Sequence, residues 1–409
     1  MDKRKLRNIF FINEYFPPDY AATGQLLKDL AIRLCSKNYK VRVLTTYAYY
    51  SNAKSNAKHI ENLDRLVIWR TRFTNTIKFI ERIKIIRSLL FSLRVGVKLI
   101  FDANKKDIIF FTSAPPFMPV IGYLVSFFSK SPYVIILFDL YPEILIDLKI
   151  LKENNFIIRI CHFLQNKAFK KSKKIIVLSD NMLSRISKKL PSIENKITVI
   201  PTWEDTNKLY KINKFENKFI KNFNLEDKFV VLYSGNQGRC HDLQTILDCA
   251  KHLKNQNEIV FVFIGNGFHN KKIRKFISVE NISNCLILPY QEKRDLKYIL
   301  SAADIGLVSV IDEATDIVAP SKIYGHLACK NAVGIISNEK SYLKNIVEAN
   351  NCGKWFKNKD FINLANWILE LKCDPLKLVD IGENARNFVI KNANHEIILK
   401  EYIRIIENI

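Results

Sequence analysis

Short apolar runs alternate with longer stretches in which apolar positions recur every three or four residues, from one end of the chain to the other. Residues 8–12 read as a buried strand, 24–36 as an amphipathic helix and 41–44 as a second strand. Further strand-like runs follow at 174–178, 229–233, 259–264, 285–288, 305–308 and 333–336, with helical patterns between them. Repeated strand–helix units of this kind predict α/β architecture: parallel sheets joined by right-handed crossovers and covered on both faces. The stretch 108–128 carries no charge over 21 residues, the length of a membrane span. Pro115, Pro116 and Pro119 interrupt it, and the runs 108–111 and 134–137 predict two buried strands around a short helix instead.

At 409 residues the chain exceeds what one core serves, so two domains are expected. The seam falls in 197–229, where a strand-like 198–200 and Pro201 give way to a polar Lys/Asn-rich stretch. The division expected is 1–205, 206–394 and a C-terminal helix at 395–409, each doubly wound half holding ligands at the carboxyl ends of its strands. With 48% hydrophobic residues there is material for two cores, which excludes disorder.

The net charge of +24 is unevenly placed. Residues 1–200 carry thirty-five Lys and Arg against fifteen Asp and Glu; the remainder carries twenty-nine against twenty-five. A field of that sign attracts nucleic acid, anionic lipid or phosphorylated substrates, and a soluble basic surface with no partner is the plain alternative. No helix-turn-helix or zinc motif is visible, which argues against nucleic acid. Eight cysteines without C-x-x-C spacing argue against metal clusters and disulfides and for a reducing cytoplasm. The N-terminus lacks the apolar run of a signal peptide.

Candidate chemistry lies at strand ends. After the first strand, Glu14 to Gly24, with Thr23 and Gly24 opening a helix, offers small residues to an anion, although a plain strand–helix connection reads equally well. After 229–233 comes Ser234-Gly235-Asn236-Gln237-Gly238-Arg239-Cys240-His241-Asp242, where two glycines free the backbone to wrap a phosphate while Arg239 and His241 add charge; a simple loop is the alternative. Gly265-Asn266-Gly267 repeats the arrangement one strand later. In Pro320-Ser321-Lys322, Pro320 suits a first helical turn, which places Ser321 and Lys322 where N–H groups and an ammonium would meet a diphosphate.

In combination these segments resemble glycosyltransferase family 4, retaining enzymes of the GT-B fold, and in particular those that build bacterial O-antigen, capsule or exopolysaccharide repeat units. The resemblance spans most of the chain: Tyr15-Phe16-Pro17-Pro18, Phe138-Asp139-Leu140-Tyr141-Pro142-Glu143, Val177-Leu178-Ser179, Ile200-Pro201, Tyr233-Ser234-Gly235-Asn236, Gly265-Asn266-Gly267, Leu288-Pro289-Tyr290, Ala303-Asp304 and Pro320-Ser321-Lys322 through Ala328. It implies two Rossmann-like domains facing across a cleft, with the last helix crossing back to the first. It implies a UDP-sugar on the second domain at Gly235, Asn236, Arg239, His241, Gly265, Gly267, Leu288, Ser321 and Lys322. Arg239 and Lys322 would stabilise the departing diphosphate without a metal or other cofactor. The acceptor would meet Thr23, Gly24, Asp139 and Glu143, with Asp139 orienting or deprotonating its hydroxyl or, equally, acting as a capping carboxylate.

Two features depart from the family pattern. The family often has two glutamates eight positions apart, the second on the nucleotide ribose; here Ile317 and Gly325 stand there, which leaves Glu313, Asp316 or His326 as substitutes. The frequent Arg and Lys of the phosphate loop correspond to Asn236 and His241. A non-catalytic nucleotide-sugar or lipid-binding protein and a sugar-nucleotide epimerase are therefore the rival readings.

Residues 77–101 place apolar side chains at 79, 83, 86, 90, 93, 97 and 100, with six Lys or Arg against one Glu. Such a helix either lies on an anionic bilayer or packs on its own sheet with a basic rim. The expected partners are a nucleotide sugar, a polyprenyl-diphosphate-linked acceptor and an anionic membrane surface, at the cytoplasmic face of the inner membrane.

Overall fold

The computed structural model describes residues 7–19, 21–47, 57–71 and 84–409 and divides into two compact units, 1–201 with 398–409, and 202–397. In the first unit the strands are β1 (Asn8–Ile12), β2 (Lys40–Thr46), β3 (Ile60–Leu63), β4 (Leu66–Thr71), β5 (Ile108–Thr112), β6 (Tyr133–Leu137), β7 (Lys174–Val177) and β8 (Ile197–Val199). They form one sheet in the order β3-β4-β2-β1-β5-β6-β7-β8, parallel except for the β3/β4 pair. The helices are α1 (Ala22–Ser36), α2 (Lys84–Asp102), α3 (Met118–Ser129), α4 (Glu143–Asp147), α5 (Phe156–Lys171) and α6 (Asp180–Lys189). Every residue of β5 and β6 is buried, as continuous Ile/Val/Phe runs covered on both faces require.

The second unit has strands β9 (Phe229–Ser234), β10 (Ile259–Ile264), β11 (Cys285–Leu288), β12 (Ile305–Ser309), β13 (Ala332–Ile336) and β14 (Gly353–Phe356), all parallel in the order β11-β10-β9-β12-β13-β14. Its helices are α7 (Lys218–Asn222), α8 (Gln244–His252), α9 (Asn270–Val279), α10 (Leu296–Ala302), α11 (Lys322–Ala328), α12 (Tyr342–Ala349), α13 (Phe361–Cys373) and α14 (Pro375–Asn392). Tyr233, Phe261, Phe263, Leu247 and Trp367 are central to its core. Several helices start on a side chain that accepts a backbone N–H, including Ser341 before α12 and Asp374 before Pro375 of α14.

A last helix, α15 (His395–Glu407), begins in the second unit, and its residues from 398 onward belong to the first. There the Tyr402 ring lies 6.2 Å from that of Phe110, and Tyr39 Oη donates to Glu407 Oε1 at 3.1 Å.

Both sheets are doubly wound, as the alternation predicts. The polar stretch after Pro201 is not a free linker. Arg386 donates to the carbonyls of Thr206, Leu209 and Ala328, and Lys214 pairs with Asp304 at 3.0 Å, which ties 202–228 to the second unit. The uncharged stretch 108–128 is β5 and most of α3, and among the described residues no helix is long and apolar enough to cross a membrane. Of the basic segment 77–101, residues 77–83 lie outside the described residues.

Candidate functional site

In each sheet the chain reverses its winding beside the first strand, and such switch points open a crevice at the strands' carboxyl ends. In the second unit the point lies between β9 and β12. Gly235, directly after β9, has φ 127°, and Gly265, directly after β10, has φ 133°. A Cβ on Gly265 would stand 2.0 Å from the Gly235 carbonyl oxygen, and one on Gly267 2.7 Å from the Gln237 carbonyl. The two loops therefore pack backbone to backbone, joined by Gln237 N–H to Asn266 O at 3.0 Å, while Gly265 N–H donates to Leu288 O at the end of β11 at 3.1 Å. Glycine at 265 and 267 is required by that approach and by the left-handed backbone. Leu288 enters the arrangement through its carbonyl.

Lys322 is the first residue of α11, next to Ser321, and its side chain runs back over the β9 loop. A Cβ on Gly235 would lie 3.5 Å from Lys322 Nζ. Nζ donates to Tyr233 Oη at 2.6 Å and stands 3.8 Å from that ring's centre, while Tyr233 Oη donates to the Asn236 carbonyl at 2.8 Å. Helix α11 has seven residues, so the ammonium itself, more than a long helix dipole, is the positive charge here. Burial brings the Lys322 amine down to about 7, because the charged form has lost solvation. An anion placed against it would restore the charge.

His241 corrects an expectation. Burial first, and the neighbouring Lys322 second, push its imidazole down to about 3, so it is neutral and adds no cation. Its Nδ1 lies 2.7 Å from the Ser309 carbonyl, which makes Nδ1 the protonated nitrogen and leaves Nε2 an acceptor. Arg239 is exposed, with its guanidinium 3.7 Å above the Phe268 ring. The structure thus gathers Gly235, Asn236, His241 and Lys322 around Tyr233, with Gly265, Gly267 and Leu288 bracing the loop and Arg239 stacked on Phe268. Tyr233 stands in the motif Tyr233-Ser234-Gly235-Asn236 but received no site role from the sequence, because a tyrosine in an apolar run looks like core, which its ring also is.

The glycine at 325 is accommodated by neighbours. A Cβ there would stand 2.9 Å from Leu300 Cδ1 and 3.8 Å from Glu204 Oε1. Of the expected substitutes, His326 is fully buried against Gly306, with burial holding it at about 3, and faces the core. Glu313 is exposed on a short turn and Asp316 is half-buried. The carboxylate beside Gly325 is that of Glu204, which sequence spacing gave no reason to select. Among the described residues no group of three His, Cys, Asp or Glu is placed to hold a metal ion.

In the first unit the switch point between β1 and β5 holds a buried polar network. Thr112 Oγ1 donates to Asn13 Oδ1 at 2.7 Å, and Ser88 Oγ donates to Glu14 Oε1 at 2.7 Å. Asp139 follows β6; its N–H donates to Ser113 Oγ at 3.2 Å, and burial raises its carboxyl to about 6. Thr23 is half-buried in the first turn of α1. Gly24 lets α1 approach the chain, since a Cβ there would be 2.7 Å from Tyr15 O. Glu143 is a buried carboxylate already paired with Lys189 Nζ at 2.7 Å, a structural ion pair more than an open contact.

Residues 214–388, most of the second unit, match the family model of glycosyl transferases group 1. The chain is 23% identical over 322 residues to the probable glycosyltransferase WbjE of Pseudomonas aeruginosa, which covers 78% of each protein. It is 26% identical over 156 residues, 38% of each, to the putative colanic acid biosynthesis glycosyl transferase WcaI of Escherichia coli K12. Among solved structures, Anabaena HepE in complex with UDP-glucose superposes with a TM-score of 0.73 at 15% identity, over 98% of this chain and 100% of that one. The fold is that of GT-B glycosyltransferases, and the match to glycosyl transferases group 1 falls within the second unit.

Proposed function

We propose that this chain, with a group 1 glycosyl transferase domain in its second unit, is a family 4 retaining, metal-independent glycosyltransferase of surface-polysaccharide assembly. In this reading it moves a hexosyl or N-acetylaminosugar residue from a UDP-sugar to a polyprenyl-diphosphate-linked saccharide at the inner face of the cytoplasmic membrane. The observation that carries it is the Lys322 amine held over Gly235 at the β9 switch point, a buried, partly discharged group that an arriving diphosphate would recharge. WcaI, named for colanic acid biosynthesis, and HepE, solved with UDP-glucose, support the donor class and the pathway type.

In the step proposed, the bond between the anomeric carbon and the diphosphate oxygen breaks and its electron pair leaves with UDP. Lys322 and Arg239 stabilise that charge, the electrostatic contribution that is commonly the largest in such sites. The acceptor hydroxyl oxygen bonds to the anomeric carbon on the face the UDP leaves, and its proton passes to the departing phosphate, with Asp139 orienting the hydroxyl. The Glu204 carboxylate beside Gly325 takes a hydrogen bond from the nucleotide's ribose, in place of a side chain at 325.

The test is incubation of the purified chain with a panel of nucleotide sugars and a membrane extract. Sugar incorporated into lipid-extractable product, with UDP released and undiminished by EDTA, is the expected result. Nucleotide-sugar binding without turnover would make the chain a binding protein, and interconversion of the donor without membranes would make it an epimerase.

A further inference from the structure

The outer surface of the first unit carries an apolar face larger than the sequence pattern of one helix suggests. Helix α2 packs beside α3, and α3 beside α5. On α2, Phe91, Val95 and Leu99 are buried, yet Ile85, Leu89, Leu93, Val97 and Phe101 form a second stripe at four-residue spacing that points outward, with Phe101 83% exposed. On α3, Leu124, Phe127 and Phe128 are exposed, Phe128 by 68%. On α5 the outward positions are Phe156, Ile157, Ile160 and Phe163, Phe156 by 73%. Thirteen of the twenty-six exposed large apolar side chains among the described residues lie on these three helices. Contiguous apolar surface on this scale marks an interaction site.

The charges around it select the partner. The three helices contain eight Lys or Arg and a single acid, Asp102, which is paired with Lys98. Two of the basic groups sit over the apolar face itself: Lys167 Nζ lies 4.6 Å from the Phe163 ring centre and Lys171 Nζ 5.8 Å from that of Phe127, which also joins α5 to α3. Long basic side chains lying along aromatic rings, above a wide apolar floor and with almost no carboxylates, match an anionic lipid–water interface, where rings enter the acyl boundary and amines reach headgroup phosphates.

We propose that the outward faces of α2, α3 and α5 form one platform that inserts into an anionic bilayer leaflet, held by its phenylalanines as much as by its charge. This deepens the membrane-side reading above, and it differs from attraction by basic residues alone in one consequence. Binding to anionic vesicles should survive salt in part, since screening over about 10 Å at 0.1 M weakens the charges and leaves the apolar contact.

The experiment is flotation of the full chain with phosphatidylglycerol–phosphatidylcholine vesicles, without donor or acceptor, so that its outcome is independent of turnover. The variant Phe127→Ser/Phe128→Ser/Phe156→Ser/Phe163→Ser removes exposed rings only and is expected to keep its melting temperature while losing at least tenfold in partitioning. Lys167→Gln/Lys170→Gln/Lys171→Gln should bind more weakly and be released at lower salt. Phe128→Trp, read against wild type, should be quenched by brominated acyl chains. Wild-type flotation by the serine variant, or absence of quenching at residue 128, overturns the proposal. A wild-type dimer that the serine variant alone converts to monomer also overturns it and assigns the face to a second copy.

Discussion

Lys322 Nζ donates to Tyr233 Oη at 2.6 Å, so a cation from α11 is fixed by a core residue of β9. The same hydroxyl donates onward to the Asn236 carbonyl, which couples the ammonium to the shape of the glycine loop. Tyr233→Phe keeps the ring under Lys322 and removes both hydrogen bonds. A lost buried hydrogen bond costs about 1 kcal/mol of stability. The larger effect is expected in catalysis: kcat/KM for the nucleotide sugar should fall about tenfold while the melting temperature moves little, as thermal unfolding and initial rates on the same preparation would register.

Burial holds Lys322 at about 7 against an ordinary 10.5, so near neutrality the free protein carries a partly discharged amine. Diphosphate stabilises the charged form, and binding should take up a proton between pH 7 and 8.5. UDP-glucose affinity is therefore expected to weaken as pH rises through that window, and calorimetry in buffers of different ionisation enthalpy should show the uptake. Lys322→Met should abolish it. For stability the sign is opposite: the desolvation penalty on the charged amine is fully present below about 7 and is relieved as pH rises toward 10.5, so without nucleotide this site favours folding more at alkaline pH.

Gly265→Ala tests the bracing of the two loops. The φ of 133° and the 2.0 Å approach to the Gly235 carbonyl leave no room for a methyl group. Strained backbone of this kind costs about 1–3 kcal/mol before the clash is counted. A lower melting temperature together with at least tenfold weaker UDP-glucose binding is expected; unchanged binding would detach this loop from the donor site.

Glu204 stands beside the missing side chain of Gly325. If its carboxylate takes the ribose hydroxyl, Glu204→Gln should raise KM for the UDP-sugar several-fold and leave kcat nearly unchanged, the pattern of lost ground-state binding. A reduced kcat at unchanged KM would place Glu204 elsewhere in the mechanism.

The strand and helix order was legible because the central strands are covered on both faces: 9–12 and 259–264 are uninterrupted apolar runs that fall within β1 and match β10, and the half-buried β11 is read from the apolar run 285–288. The β3/β4 pair was not, since Ile60–Leu63 is a short, mostly exposed edge strand with no strong pattern. Lys322 and the glycines at 235, 265 and 267 stood out through residue type. Tyr233, Glu204 and the neutral state of His241 did not, because each depends on what the fold packs beside it. Of the helical spacing read over 77–101, only Leu93 and Val97 fall on the outward stripe of α2 at 85, 89, 93, 97 and 101; packing alone separates that stripe from the buried one carrying Phe91 and Leu99.

The central claim is that Lys322 stabilises the departing diphosphate of a nucleotide sugar. Its most direct test is the initial rate of sugar transfer into lipid-extractable product by wild type, Lys322→Ala and Arg239→Ala, each checked for an intact fold by circular dichroism. The account predicts a loss of at least tenfold in turnover for each variant, about 1.4 kcal/mol or more of transition-state stabilisation. Transfer by both variants at the wild-type rate would contradict it.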